Sequence, residues 1–264
     1  MNVGITKINL LSGSLFAVMV LTIPATCYSQ SVQNESTGPN NVYIEQLGNS
    51  NTVTLEQVGG TNSIGGTSST NGAWDAASSN NYGTITGSSN TVTMTQTGNT
   101  NMGQYNVYGN NNHYTSTVTG NGNKTKLSVG NTDNPSNLRN SVTETITGDT
   151  NVVVTSVVGS DINNTLTMNG SNNQVTSNLT SSRGTSDVTV SGGNNQLDIQ
   201  QSDSAGANGH KLTATVTGDY NAIATQQQGF NDTTVNMNVV GANNTITVRT
   251  SSTSISSPVT AVPR

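Results

Sequence analysis

A glycine followed three residues later by an asparagine recurs along this chain, and this repeat limits the possible fold more than any other feature. From Gly87 to Gly120 the glycines are always eleven residues apart, and the same step returns from Gly148 to Gly170. Glycine and asparagine both tolerate positive φ, so each Gly-x-x-Asn predicts a tight turn. Only a short strand fits between two such turns.

Apolar residues alternate with polar ones inside each eleven-residue unit. Positions −6, −4 and −2 before the glycine are often apolar, as in Val235, Met237 and Val239. A period of two is typical of a strand with one buried face. One strand and one turn every eleven residues predict an all-β fold, a two-sided β-solenoid of roughly nine 22-residue rungs (strand-turn-strand-turn) over residues 40–250.

Composition favours an ordered polar β structure over a disordered chain. Only 30% of the 264 residues are hydrophobic and 8% are charged. Disordered chains of low hydrophobicity are usually rich in charge or proline, whereas this chain has a formal net charge of −5 and 5 prolines. There is no basic patch, and we expect no specific nucleic-acid partner.

Glutamine recurs at position −2, which the alternation directs inward. Stacked rungs would place these amides in a column, where each can donate to the next, while the +3 asparagines form a ladder at the corners. Most other units have an aliphatic residue at −2. The ladder and turn positions predicted in this way are Gln46, Gly48, Asn51, Gln57, Gly59, Asn62, Asn90, Gln96, Gly98, Asn101, Gly109, Asn112, Gly120, Asn123, Gly148, Asn151, Gly218, Asn221, Gln227 and Gly229.

Residues Gln46–Gln57, QLGNSNTVTLEQ, have the form Gln-x-Gly-x-x-Asn-x-Val-x-x-x-Gln. This stretch resembles the curlin repeat of curli fibre subunits, and the region from Asn90 to Asn101 carries most of the same pattern. The resemblance implies a secreted structural subunit that self-assembles into extracellular amyloid fibres for biofilm matrix and adhesion. It also implies a nucleator subunit, an outer-membrane secretion pore and a periplasmic chaperone as partners. The sequence departs from the family in its aliphatic −2 residues, its insertions and its larger number of strands.

The two ends of the chain differ from the repeat. Lys7 precedes an apolar stretch, and Cys27-Tyr28-Ser29 fits a cleavage site, so residues 1–29 are predicted to be a signal peptide and residues 30–39 an N-terminal segment. Residues 251–264 are predicted to be a C-terminal tail. The sequence departs from the repeat near residues 63–79, 131–137, 177–185 and 202–209, and we interpret these segments as insertions.

Asp149 and Asp219 follow repeat glycines at positions where other units have Asn or Ser. Carboxylates there would repel an incoming rung of like charge. We expect them to act as gatekeepers that slow assembly.

The sequence is also compatible with functions other than fibre formation. Thr-x-Thr pairs suggest an ice-binding solenoid, but Thr91/Thr93 and Thr117/Thr119 stand in different phases relative to the glycine. A solenoid adhesin of a cell surface or phage fibre that does not polymerise is another alternative. Catalysis needs clustered acids or bases. His113 and His210 are the only histidines and the acids are scattered, so we expect no enzyme, no cofactor and no metal site.

Overall fold

The computed structural model describes residues 29–36, 40–42, 44–65, 83–130, 138–202, 209–229 and 232–251. Every regular element in these ranges is a β-strand, and no helix there could span a membrane. The strands are β1 (Ser29–Ser36), β2 (Asn41–Val42), β3 (Ile44–Leu47), β4 (Thr52–Gly59), β5 (Ser63–Gly65), β6 (Gly83–Thr86), β7 (Thr91–Thr97), β8 (Met102–Tyr108), β9 (His113–Thr119), β10 (Lys124–Val129), β11 (Ser141–Thr147), β12 (Val152–Ser160), β13 (Asn163–Asn169), β14 (Gln174–Ser182), β15 (Thr185–Ser191), β16 (Gln196–Gln201), β17 (Lys211–Thr217), β18 (Ala222–Gln228), β19 (Thr234–Val240) and β20 (Thr245–Ser251).

The strands form two parallel sheets that face each other. The first sheet has nine strands in the order β1-β4-β7-β9-β11-β13-β15-β17-β19. The second has the order β2-β5-β8-β10-β12-β14-β16-β18-β20, with β3 paired to β6 and β6 to β8. Successive units therefore alternate between sheets, and the chain returns to the same sheet after about 22 residues, as from Asn101 to Asn123. The predicted two-sided β-solenoid is confirmed, and the described strands form nine rungs.

The core lies between the two sheets and follows the alternation of each strand. In β7, Val92, Met94 and Gln96 are buried while the threonines between them are half-exposed. The aliphatic residues predicted to point inward at −2 are all buried: Ile85, Val107, Val118, Ile146, Val157, Met168, Val190, Val216 and Val239. Because each rung encloses only a few side chains, a low apolar content is enough to fill this core.

The corners explain why glycine is required. Gly148 has a φ of +119°, and a Cβ built on it would lie 2.0 Å from the carbonyl oxygen of Gly170 in the next rung. Any side chain would therefore both strain the backbone and clash with the stacked turn. The residue two positions later, Thr150, has a φ of +56°, which completes the turn.

The structure corrects several predicted boundaries. Ser29–Ser36 is the outer strand β1, paired with β4, although residues 30–39 were predicted to precede the solenoid. The prediction of an insertion at residues 177–185 is wrong, because Ser177 to Ser182 lie in β14 and Thr185 begins β15. Ser181 stands where the repeat has a glycine. The eleven-residue step is unbroken there, but no glycine marks it in the sequence.

The insertion near residues 63–79 begins later than predicted. Ser63–Gly65 is β5, which pairs with β8. The next strand of the chain, β6, also pairs with β8, so the insertion interrupts one strand of a single rung. The rest of that segment, residues 131–137, most of 202–209, the tail after Ser251 and the predicted signal peptide before Ser29 lie outside the described residues.

Candidate functional site

One corner of the solenoid carries an asparagine ladder that runs through all nine rungs. The side-chain Oδ1 of each asparagine accepts the backbone N–H of the asparagine in the following rung, at 2.8–3.0 Å. From Asn123 onward the side-chain Nδ2 of the following residue also donates to the same oxygen, at 2.8–3.1 Å. The members are Asn40, Asn62, Asn101, Asn123, Asn151, Asn173, Asn195, Asn221 and Asn244.

The eight ladder asparagines from Asn40 to Asn221 also donate from Nδ2 to a backbone carbonyl oxygen in the turn of the next rung. Asn123, for example, donates from Nδ2 to the carbonyl oxygen of Gly148 at 2.7 Å. Buried amides are thereby satisfied, and a net hydrogen bond of this kind stabilises by about 0.5–1.5 kcal/mol. The ladder fixes the register of the whole stack.

The opposite corner has a shorter ladder. Asn90 donates to Oδ1 of Asn51 at 2.9 and 3.1 Å, and Asn112 repeats this geometry on Asn90. Asn140 and then the backbone N–H of Ile162 continue it. Beyond that point the equivalent places hold Gly184, His210 and Thr233. The predicted single corner ladder is therefore two ladders, and only one of them runs from end to end.

The predicted amide column is real for one glutamine pair. Nε2 of Gln57 donates to Oε1 of Gln96 at 3.1 Å, and Gln96 donates to the carbonyl oxygen of Ser63 at 3.3 Å. Gln46 is not part of this column, because it lies in the other sheet, in register with Ile85. The two similar sequence units that contain Gln46 and Gln57 therefore lie in opposite sheets and face each other across the core.

A second glutamine pair lies near the C-terminal end of the second sheet. Gln201 and Gln227 are in register. Nε2 of Gln201 donates to the backbone carbonyl oxygen of Thr185, the first residue of β15, and Nε2 of Gln227 donates to that of Lys211, the first residue of β17. The hydroxyl of Thr233 donates to Oε1 of Gln227 at 2.6 Å. Gln201 was missed in the sequence because no Gly-x-x-Asn follows it.

Glu144 is a fully buried acid in the middle of the core, which the sequence analysis did not single out. The hydroxyl of Tyr114 donates to its Oε2 at 3.0 Å, and that of Thr155 to its Oε1 at 2.7 Å. Burial raises the pKa of Glu144 to about 7, and the two hydroxyl hydrogen bonds only partly oppose this. The alternation Val142, Glu144, Ile146 was the available signal, since it places the acid on the inward face.

Asp149 and Asp219 occupy the same corner but do not lie next to each other. Oδ1 of Asp149 accepts the backbone N–H of Asn121 at 2.7 Å, and Oδ1 of Asp219 accepts that of Gly193 at 2.6 Å. Ser171 and Gly193 stand between them in the stack. Both aspartates therefore belong to a third, exposed ladder of turn residues, and only Asp219 is near the C-terminal end.

The two ends of the solenoid differ in what they expose. At the C-terminal end Met237, Ile246 and Val248 only partly cover the core, and Val240 is 72% exposed. At the N-terminal end Gln46 is 8% exposed, yet neither its Nε2 nor its Oε1 makes a hydrogen bond with the described residues. These ends are the strongest candidate for a functional site.

The outer surface of the first sheet contains threonines in two straight columns. Thr93 pairs with Thr115, and Thr95 with Thr117, and this register continues through β17. The different phases of the Thr-x-Thr pairs in the sequence therefore do not argue against a regular array on this sheet. The two pairs compared there, Thr91/Thr93 and Thr117/Thr119, lie at different positions along their strands.

Comparison with known proteins gives no relative from which a function could be transferred. No family model, no curated protein and no solved structure matches the chain.

Proposed function

We propose that this protein is a secreted structural subunit whose solenoids add end to end into extracellular amyloid fibres that serve as biofilm matrix and in adhesion. The support is the open end formed by β19 and β20, together with the resemblance of residues 46–57 to curlin repeats. Neither strand has a further neighbour among the described strands. An edge strand of this kind is a template for another chain.

One observation carries the proposal. Gln46 is the first of nine residues in register that form one side-chain column of the second sheet. The column consists of Gln46, Ile85, Val107, Val129, Val157, Leu179, Gln201, Gln227 and Thr250. A second copy stacked in the same register continues the column from its own Thr250 to Gln46, so that one polar side chain follows another.

The asparagine ladder ends at the same C-terminal edge. Asn244 is its last member, and no described residue donates to its Oδ1. This oxygen can accept a hydrogen bond from a donor of a further rung. The ladder therefore favours addition of another copy at the C-terminal end.

Within this proposal the protein is not an enzyme and takes no cofactor. Its first partner is another copy of itself. The nucleator subunit, secretion pore and periplasmic chaperone implied by the resemblance are proposed as the other partners, and the location is the cell surface after passage through the periplasm.

The test is assembly of the purified protein with and without a charge on the open end. Val248 faces inward on β20 and is half-buried, so Val248→Lys places an ammonium group where the next rung must stack. We expect the wild type to form fibres with diffraction spacings of about 4.7 and about 10 Å. The variant should stay monomeric far longer, as followed by dye binding and electron microscopy.

Thr247→Lys is the matched control, because Thr247 is exposed on the outward face of the same strand. This variant should assemble as the wild type does. Wild-type protein that remains monomeric at high concentration would favour the adhesin alternative, and equal assembly of both variants would exclude stacking on β20.

A further inference from the structure

The outer surface of the first sheet is almost uniform in the middle of the solenoid. Two adjacent columns cross the six strands β7, β9, β11, β13, β15 and β17, and threonine fills eleven of the twelve positions. Asp187 is the exception. We call this surface the threonine face; it consists of Thr93, Thr95, Thr115, Thr117, Thr143, Thr145, Thr165, Thr167, Thr189, Thr213 and Thr215, all half-exposed.

The second sheet provides an internal comparison. The twelve equivalent positions on the outer side of β8, β10, β12, β14, β16 and β18 hold one threonine, Thr176. The other eleven are Gln104, Asn106, Lys126, Ser128, Val154, Ser156, Asn178, Asp198, Gln200, Ala224 and Gln226. Nine of the twelve are at the surface, whereas Gln104, Ala224 and Gln226 are buried. Strand propensity acts equally on both sheets. It therefore does not explain why threonine is concentrated on one of them.

The spacing of the threonine face is regular in two directions. Neighbouring strands lie about 4.8 Å apart, and residues i and i+2 of one strand about 6.7 Å apart. Threonine is β-branched and stiff at χ1, so its hydroxyl and methyl groups keep fixed positions relative to the strand. The result is a rigid lattice of hydroxyl groups separated by methyl groups.

We propose that the threonine face binds ice. Repeats of this size are close to the oxygen spacings on a face of hexagonal ice, so water molecules hydrogen-bonded to the hydroxyl groups are already arranged as a crystal surface. The methyl groups between them leave little room for water in other arrangements. Charged side chains would hold differently oriented water, and Asp187 is the one charged member of the two columns.

A polysaccharide is a poorer match for the same surface. Sugar rings commonly pack on aromatic side chains, and the outward positions of β7, β9, β11, β13, β15 and β17 contain no aromatic residue other than His113 at the rim. The proposal does not depend on fibre formation, because the face is complete within one molecule.

The test uses one matched pair of substitutions in a single rung. Thr165 on β13 and Thr176 on β14 are both half-exposed, and each has an aspartate as its neighbour in the next strand, Asp187 and Asp198. Thr165→Tyr and Thr176→Tyr both keep a residue that favours strands. Only the first interrupts the threonine face.

The readouts are the fraction of monomeric protein taken up by slowly growing ice and the inhibition of ice recrystallisation. We expect wild type and Thr176→Tyr to enter the ice and to inhibit recrystallisation, and Thr165→Tyr to lose most of both activities while its circular dichroism is unchanged. Thr165→Ser, which keeps the hydroxyl and removes one methyl, should lose part of the activity and covers the case in which the tyrosine variant does not fold.

Exclusion of the wild-type monomer from ice would overturn the proposal. So would equal loss of activity in Thr165→Tyr and Thr176→Tyr, because the effect would then not belong to this face. Failure of the fibre assay leaves these measurements unchanged, so the two proposals can fail separately.

Discussion

At the scale of single residues, an inward amide and an outward hydroxyl of the same strand should differ sharply in their contribution to stability. Gln57→Leu removes the donor to Oε1 of Gln96, which is buried. We expect a loss of about 1 kcal/mol in the free energy of unfolding, at the low end of the usual range, because the change also removes the unpartnered Oε1 of Gln57. Chemical denaturation measures this loss.

Thr54→Ala is the control for that substitution, since Thr54 is exposed on β4. It should change the free energy of unfolding by much less than Gln57→Leu. Similar losses from the two substitutions would contradict the inward orientation of Gln57.

Glu144 should make the molecule more stable in acid than near neutral pH. Its pKa is about 7 in the folded protein against an ordinary 4.5, because burial disfavours the carboxylate. The folded state therefore keeps a proton that the unfolded chain releases, and its stabilising effect is full below pH 4.5 and lost as the pH rises through 7. The difference is on the order of 3 kcal/mol.

Urea denaturation of the dilute monomer between pH 4 and 8 tests this, with Glu144→Gln as the control. The groups facing Glu144 from neighbouring strands are the hydroxyls of Tyr114 and Thr155, and burial raises the pKa of Tyr114 well above its usual value, so neither changes charge in this range. The glutamine variant should lose the decrease in stability between pH 4.5 and 7. An unchanged decrease would assign it to other groups.

At the scale of the turn elements, the position of an aspartate along the stack should decide its influence on assembly. Asp219 lies one rung from the last turn of the C-terminal end, and Asp149 lies three rungs further in. Charges separated by more than about 8 Å are largely screened at physiological ionic strength. Asp219→Asn should therefore shorten the lag of fibre formation at low salt, and Asp149→Asn should change it little.

Asparagine preserves the accepting oxygen of both turns, so the folds of the two variants should be the same. Lag times measured against salt concentration separate the two positions. Equal lags for wild type and Asp219→Asn at low salt would make both aspartates ordinary turn residues.

The strands and turns were predictable because glycine and asparagine mark each corner in the sequence itself. The assignment of strands to sheets was harder, since adjacent units look alike and belong to opposite sheets. Gln46 was therefore stacked on Gln57, which the structure places across the core from it. Where Ser181 replaces glycine, the local signal is absent although Ser181 pairs in register with Gly159 of the preceding rung.

At the scale of the whole molecule, the threonine face becomes visible only when every second strand is compared. Thr95, Thr117 and Thr145 are 22 or 28 residues apart in the chain, because a segment at residues 131–137 separates two of the strands. A search for Thr-x-Thr pairs compares different positions along the strands, such as Thr91/Thr93 of β7 and Thr117/Thr119 of β9, and misses the columns. Glu144 was overlooked for a related reason, because its partners Tyr114 and Thr155 come from two other strands.

The short sequence separation between stacked strands, 22–28 residues for all but the β3–β6, β4–β7 and β5–β8 pairs, also has a consequence for how the chain folds. Each new rung closes a loop of about the same length as the previous one, so the entropy lost per rung does not grow with the length of the solenoid. The slow event is then the formation of the first pair of rungs, after which addition proceeds like a zipper. The folding time should therefore depend weakly on the number of rungs, unlike that of β-proteins whose paired strands are distant in sequence.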